Sequence, residues 1–216
     1  MTHQAARAAA RAVWLDIVAA LNPAPGDAVP EGCGTLLLLG PREPGFWPVF
    51  TASPEYGDGA PHPLDRWSRR VVTALAATLG GAAIFPSDGP PYPPFFRWAV
   101  RSGHIWPSPV QLLVHGRAGL MVSFRGAVAV AERIALPGVP PDPPCTGCAR
   151  PCLEACPVGA LTGDGYDVEK CHEYLETQAG ADCLSRGCLV RRACPVSQGH
   201  GRLQAQAAFH MRAFHP

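Results

Sequence analysis

The chain has 216 residues, of which 47% are apolar and 16% are charged, and its formal net charge at pH 7 is +1. This length allows one large domain or two small ones, and the apolar share can form a buried core. The small net charge, without a basic run, argues against nucleic acid as a partner. The apolar runs are too short to span a bilayer, so we expect no membrane association.

The first quarter of the chain predicts a helix, a strand and a loop. Four apolar residues recur at helical spacing within residues 2–21 and predict an amphipathic helix; they are Trp14, Ile17, Val18 and Leu21. Because this segment does not resemble a signal peptide, we expect a cytoplasmic protein whose thiols stay reduced. The apolar stretch 34–40 predicts a buried strand, and a loop rich in proline, glycine and aromatic residues follows over 41–62.

The middle of the chain predicts a second helix and several strands. From Pro63 to the Gly80-Gly81 pair, apolar residues again recur at helical spacing, and the two glycines end the helix. A rigid loop within residues 87–103 runs into a short helix. The predicted strands cover 82–86, 109–116, 119–124 and 127–136. A tight turn at Arg117-Ala118 joins the second of these strands to the third.

A proline-rich segment over residues 137–144 predicts a domain boundary, because proline is poorly suited to both helix and strand. We therefore expect an α/β domain over residues 1–140, in which helices cover a sheet of about four or five strands. A cysteine-rich domain is predicted over residues 141–216, and its last residues, 202–215, predict a terminal helix.

Eight of the nine cysteines lie in this second domain, and their spacing is typical of ferredoxins. The run "CTGCARPCLEACP" begins at Cys145, and a second, looser group ends on Cys194-Pro195. Bacterial ferredoxins with two clusters carry a C-x2-C-x2-C-x3-C-P run whose fourth cysteine binds the other cluster. This chain matches that run with one extra residue before the third cysteine.

Crossing the two groups in the same way assigns four thiolate ligands to each of two [4Fe–4S] clusters. Cluster 1 takes Cys145, Cys148, Cys152 and Cys194, and cluster 2 takes Cys156, Cys171, Cys183 and Cys188. Two all-cysteine zinc sites or a set of disulfides would use the same number of thiols, although disulfides are rare in the cytosol. Cys33 is interpreted as a small apolar residue.

Three arginines lie among the cysteines of the second group: Arg186, Arg191 and Arg192. Positive charge beside an anionic cluster would raise its reduction potential. The same side chains could form a docking face for an acidic electron donor, or they could be ordinary solvated surface residues.

The segment "CTGCARPCLEACPVGAL…YDVEKCHEYL…CLSRGCLVRRACP" resembles the double-cluster module of epoxyqueuosine reductases and reductive dehalogenases. "KCHEYL" (170–175) is similar to the part of that module that carries a cluster cysteine, which supports Cys171 as a ligand. In that group the module follows a cobalamin-binding domain of nitroreductase-like fold. "HPLDRWSRRVV" and "HGRAGLMVSFRGAVAV" also resemble cobalamin-processing (CblC-type) proteins. The resemblance implies a nitroreductase-like first domain with cobalamin as cofactor, and flavin is the alternative.

The resemblance directs attention to the aromatic-rich stretch 86–106. Epoxyqueuosine reductases carry a catalytic acid in an Asp-Ser-Ala-Pro segment, and this chain has "SDGPP", with Asp88, at about that place. Asp88 or Tyr92 could donate a proton to the substrate or the cobalt site. Alternatively, Asp88 caps a turn and the aromatic rings fill the core. Candidate cofactor contacts are His104, Trp106, His115 and Arg125, each with an ordinary structural role as its alternative.

These expectations combine into one predicted function. A reduced donor, such as a flavodoxin, a ferredoxin or a reductase, loads two [4Fe–4S] clusters, which deliver electrons to a corrinoid or small-molecule substrate in the first domain. One alternative is a ferredoxin-type electron carrier without a catalytic site. Another is a zinc-bound interaction protein.

Overall fold

The computed structural model describes residues 1–138 and 142–216, and over these residues the chain is a mixed α/β protein. It divides into two compact units. Residues 1–105 with 123–138 form the first, and residues 106–122 with 142–216 form the second. The predicted boundary between residues 140 and 141 lies outside the described residues, as does part of the proline-rich segment.

The first unit begins with a helix and a strand where the sequence predicts a single helix. Helix α1, His3–Ala12, starts after Thr2, whose Oγ1 accepts a hydrogen bond from the backbone N–H of Ala5 at 3.1 Å. Strand β1, Leu15–Leu21, follows almost at once. The prediction of a helix to residue 21 is wrong because nearly every residue of β1 is buried, which a helix with one apolar stripe would not need.

A four-stranded antiparallel sheet lies at the centre of the first unit. Its strands are β1, β2 (Thr35–Pro41), β3 (Gly81–Ile84) and β6 (Gly126–Val130), in the order β1-β2-β6-β3. Val128 of β6 lies opposite Leu37 on one side and Ala83 on the other. The strand predicted over 34–40 is confirmed, whereas the one predicted over 127–136 is shorter than expected.

Short helices pack aromatic side chains against one another in the same unit. They are α2 (Phe46–Thr51), α3 (Pro54–Gly57), α4 (Pro63–Thr78) and α5 (Phe95–Arg101). Helix α4 is confirmed, but the loop predicted over 41–62 contains α2 and α3. Pro54 starts α3 at a position where the missing N–H costs nothing. The ring of Phe46 meets that of Trp67 edge-on, with centroids 5.2 Å apart, so burial of aromatic rings holds these short helices.

The second unit is built mainly from short helices and turns. Its strands β4 (Ile105–Pro107, which begins at the last residue of the first unit) and β5 (Leu113–His115) form a two-stranded sheet. Its helices are α6 (Val168–Leu175), α7 (Ala181–Arg186), α8 (Leu189–Ala193), α9 (Pro195–Gln198) and α10 (Gln204–Phe214), with 3₁₀ turns at Pro151–Leu153 and Gln178–Gly180. The predicted terminal helix is therefore confirmed.

Residues 119–124 do not form the predicted strand. The backbone N–H groups of His115 and Gly119 each donate to the other's carbonyl, at 3.0 and 2.8 Å, so the tight turn at 117–118 is present. The chain then leaves the strand pairing. Gly119 has φ of +55°, and a Cβ there would lie 2.5 Å from the backbone nitrogen of Ser197. A close approach between two backbones, rather than strand pairing, fixes this segment.

The sequence predicts that residues 106–122 belong to the first domain, but they belong to the second unit. An apolar cluster explains the difference. Val110, Val114 and Leu120 are fully buried in a cluster that also contains Cys152 and Cys194. The segment supplies core side chains to the cysteine-rich region, which otherwise has few. None of the described helices is both long and apolar enough to cross a membrane.

Candidate functional site

The fold brings three cysteines of the first group together on one short segment. Cys145 and Cys148 lie on the loop that precedes the 3₁₀ turn Pro151–Leu153, and Cys152 lies within that turn. The backbone N–H of Cys148 donates to the carbonyl of Cys145 at 3.3 Å. Gly147 has φ of +71°, a left-handed conformation that glycine adopts without strain. These local turns let one loop present several thiols.

Cys194, the fourth ligand predicted for cluster 1, comes from a distant part of the chain. It lies between α8 and α9, and Pro195 is the first residue of α9. A cavity of ≈ 300 Å³ opens between this point and the loop. The four cysteines that line the cavity are Cys145, Cys148, Cys152 and Cys194. These are the four ligands predicted for cluster 1.

The thiols around this cavity lie close enough to affect one another's ionisation. Burial raises the pKa of the Cys145 thiol, and the charges of three other thiolates raise it further; they are Cys152, Cys148 and Cys194. Burial also raises the pKa of Cys152, followed by the charge of Cys194. Thiolates crowded in this way repel one another unless a cationic centre lies between them, and iron would supply that centre.

The four cysteines predicted for cluster 2 lie in or next to helices and a 3₁₀ turn. Cys171 lies in α6, Cys183 lies in α7, Cys188 directly precedes α8, and Cys156 follows the 3₁₀ turn. Burial raises the pKa of Cys171, which the charges of Cys188 and Cys156 raise further. Burial likewise raises the pKa of Cys183, and Cys188 adds to it. The thiolates that act on Cys171 and Cys183 are thus among the four ligands predicted for cluster 2.

Hydrogen-bond donors point at several of these sulfurs. The backbone N–H of Arg150 donates to Cys148 Sγ at 3.3 Å, and that of Ala160 donates to Cys156 Sγ at 3.2 Å. Such bonds stabilise negative charge on sulfur and tune the potential of a bound cluster.

A tyrosine hydroxyl is a further donor beside the cysteines predicted for cluster 2. A side-chain hydrogen bond from Tyr166 lowers the pKa of Cys171, against the larger effect of burial. Burial and this hydrogen bond together raise the pKa of Tyr166. Sequence reasoning missed Tyr166, because no motif marks a tyrosine five residues before a cysteine.

The donor set is of the chemical kind that iron–sulfur clusters use. All nine cysteines are free thiols. Within residues 1–138 and 142–216, no three His, Cys, Asp or Glu side chains are gathered closely enough to hold a single metal ion. A [4Fe–4S] cluster makes a different demand, since each of its four thiolates binds a different iron. Four thiols line one cavity, and among the other four the charges of Cys156 and Cys188 act on Cys171. Each set offers the number of thiols that one such cluster binds.

The predicted proton donors lie on the loop between β3 and α5. Asp88 Oδ2 accepts a hydrogen bond from the backbone N–H of Phe85 at 2.9 Å, and its Oδ1 lies 2.7 Å from Arg69 Nη2. The carboxylate therefore closes a turn, the structural role that the sequence also allowed. Tyr92 is 64% exposed on the same loop.

Three of the predicted cofactor contacts are divided between the units. His104 is half-buried in the first unit, whereas Trp106 and His115 lie in the second. Trp106 packs against the apolar cluster of that unit. His115 is buried, and its Nδ1 accepts hydrogen bonds from the backbone N–H groups of Arg117 at 3.2 Å and Ala118 at 3.1 Å. The imidazole thus supports the tight turn.

Arg125, the fourth predicted contact, borders a cavity of ≈ 320 Å³ in the first unit. Asp65 and Ser68 also line this cavity. Burial lowers the pKa of Arg125 to about 10, although Asp65 and Glu43 oppose the shift. Its buried Nε has no hydrogen-bond partner among the described residues. The guanidinium is therefore partly available to a polar ligand.

The three arginines of the second group have different surroundings. Arg191 is half-buried and donates to the backbone carbonyl of Leu120. Arg186 and Arg192 both pair with Asp182, the former at 3.1 Å. Arg191 is thus a packed structural cation, and the other two remain nearer the surface.

Comparisons of the chain with protein-family models, with curated proteins and with solved structures give no match. The resemblance to the double-cluster module therefore stays a prediction, and the function is argued from the site.

Proposed function

We propose that the second unit holds two [4Fe–4S] clusters and that the protein is an iron–sulfur redox protein. The cavity of ≈ 300 Å³ lined by Cys145, Cys148, Cys152 and Cys194 carries this proposal. Three of these thiols come from one loop and the fourth from over forty residues further along the chain, the pattern of crossed ligation in two-cluster ferredoxins. Bound clusters would supply one-electron transfer.

The chain's own residues would hold the clusters and set their potentials. Eight thiolates provide the two sets of ligands. Backbone N–H groups of Arg150 and Ala160 donate to Cys148 Sγ and Cys156 Sγ, and the Tyr166 hydroxyl donates to the Cys171 thiol. The apolar cluster around Val114 and Leu120 limits water near the first set, and a low dielectric strengthens every charge interaction there.

The first experiment measures metal content. Anaerobically purified protein should be brown and contain about eight irons and eight sulfides per chain. The reduced protein should give an EPR spectrum of two interacting clusters. Two zinc ions per chain, with no iron after anaerobic reconstitution, would overturn the proposal in favour of a zinc-bound protein.

The finer proposal is that the clusters deliver electrons to a corrinoid bound by the first unit. It depends on the family resemblance and on Arg125, whose cavity and unpartnered Nε suit a polar side group of such a ligand. The alternative is an electron carrier without a catalytic site. Asp88 favours the carrier, because its carboxylate is already engaged by Arg69 and by the backbone of Phe85.

A titration with cob(II)alamin separates these two functions. Binding by the first unit should shift the visible spectrum of the corrinoid, and Arg125→Gln should weaken the binding about tenfold, as expected for loss of one charged hydrogen bond. Arg133→Gln, which alters an exposed arginine of the same unit, is the control. If neither cob(II)alamin nor flavin binds, the carrier function remains.

A further inference from the structure

A second cavity in the cysteine-rich unit is lined by arginines. It has a volume of ≈ 420 Å³, and its lining includes Arg186, Arg192 and Arg202. Ser197, Gln198 and Gln204 add polar side chains, and no acidic residue is among the described residues that line it. None of the eight predicted cluster ligands lines it either. This cavity is therefore separate from the one around cluster 1.

Ion pairs and a hydrogen bond hold the arginines at this cavity. Arg186 and Arg192 share a single carboxylate, Asp182. Arg202 also donates from Nη2 to the backbone carbonyl of Met121 at 2.9 Å. Each guanidinium carries five N–H donors, so two arginines that share one carboxylate keep donors for another acceptor.

The arginines also affect His200, which precedes Gly201 in the cavity lining. Burial lowers the pKa of His200 to about 4, and the charges of Arg202 and Arg117 lower it further. Arg117 thus lies close enough to His200 to affect its ionisation. A concave site with several cations and few anions attracts small anions.

We propose that this cavity binds a small phosphorylated molecule through its phosphate groups. The planar fork of arginine matches the oxygens of a phosphate and can bind two at once. Three such forks around a space of ≈ 420 Å³ suit a diphosphate better than a single chloride or carboxylate. The polar side chains of Gln198 and Gln204 would contact the remainder of the ligand.

Calorimetric titration of the anaerobically purified full chain with inorganic pyrophosphate tests the proposal, and inorganic phosphate serves as the weaker comparison. We expect saturable binding of one pyrophosphate that weakens as the salt concentration rises. Arg186→Gln should weaken this binding about tenfold, because it removes a charged donor whose side chain is more than half exposed and so is not needed for packing. Asp182→Asn should tighten it about threefold by removing the competing carboxylate.

Arg212→Gln is the matched control, because Arg212 is an exposed arginine of the same unit that does not line the cavity. It should leave the affinity for pyrophosphate unchanged. Circular dichroism of each variant checks that it is folded. Absence of binding at millimolar pyrophosphate would overturn the proposal, as would equal losses in R186Q and R212Q. Binding of an acidic peptide without binding of pyrophosphate would identify a protein-docking surface instead. Iron analysis of the same samples reports separately on the clusters.

Discussion

The two units obtain their cores in different ways. The first unit has a four-stranded sheet and a set of packed aromatic rings, so its core consists of aliphatic and aromatic side chains. The core of the second unit includes Cys152 and Cys194, with Cys145, Cys156 and Cys188 packed against it. From this comparison we predict that the first unit folds by apolar burial alone and that the second requires the proposed clusters.

The largest expected effect follows from removing iron. Binding of a metal centre contributes folding energy when the ligands come from distant parts of the chain. Chelation of iron should therefore unfold the second unit while the first stays folded. Hydrogen exchange should show residues 145–198 losing protection, whereas β2 remains protected. Equal loss of protection in both units would contradict the comparison.

A single cleavage site gives an independent measurement of the same effect. Lys170, in α6, is the only lysine in the chain. A lysine-specific protease should cut the iron-free protein there far faster than the iron-loaded protein, because helical backbone must open before cleavage. Equal rates in the two forms would show that α6 does not depend on iron.

The next effect concerns one predicted ligand of cluster 1. Cys194→Ser should remove cluster 1 and leave cluster 2, so that about four of about eight irons are lost. Cys33→Ser is the control, since Cys33 lies in the first unit, where its Sγ donates to the carbonyl of Thr35 at 3.3 Å. EPR should identify the cluster that remains. Loss of the signal assigned to Cys171 and Cys188, with the other retained, would refute the crossed ligation.

A smaller effect concerns the surroundings of the proposed cluster 2. Tyr166 donates to Cys171, and Arg192 lies near Cys183, whose pKa it lowers. Tyr166→Phe should lower the potential of cluster 2 by about 40 mV, the equivalent of one hydrogen bond of ~1 kcal/mol in a one-electron couple. Tyr174→Phe is the control, because its hydroxyl donates to the carbonyl of Ala179 at 2.9 Å. A redox titration in which both variants match the wild type would remove Tyr166 from the site.

Local patterns predicted much of this molecule, and long-range pairing explains most of what they missed. The helical spacing of Leu64, Trp67 and Val71 predicts α4. This local pattern suffices because the backbone hydrogen bonds of a helix join residues that are close in sequence. Residues 15–21 fit a helical pattern as well, but their pairing with β2 decides their conformation. The cysteine spacing predicts which thiols line the first cavity. It gives no information about Tyr166 or the cavity at Arg202, which arise from the packing of distant segments.

The smallest effect tests the other side of the comparison, the independence of the first unit. Hydrogen bonds from Arg70 hold the pKa of Glu55 at about 2, below its ordinary value of 4.5. The Arg70 guanidinium spans both carboxylate oxygens, with Nη2 3.0 Å from Oε2. A depressed carboxylate pKa stabilises the fold above the unfolded value and loses that contribution as pH falls toward the folded one. Glu55→Gln should therefore lower the free energy of unfolding at pH 7 by about 1 kcal/mol, a modest figure because Arg70 is largely exposed. The difference from wild type should shrink between about pH 5 and pH 2.

Urea unfolding followed at each pH measures this difference, with Glu31→Gln, which alters an exposed glutamate of the same unit, as the control. Iron content should not change in either variant, and a loss of iron in Glu55→Gln would show that the first unit supports the clusters after all.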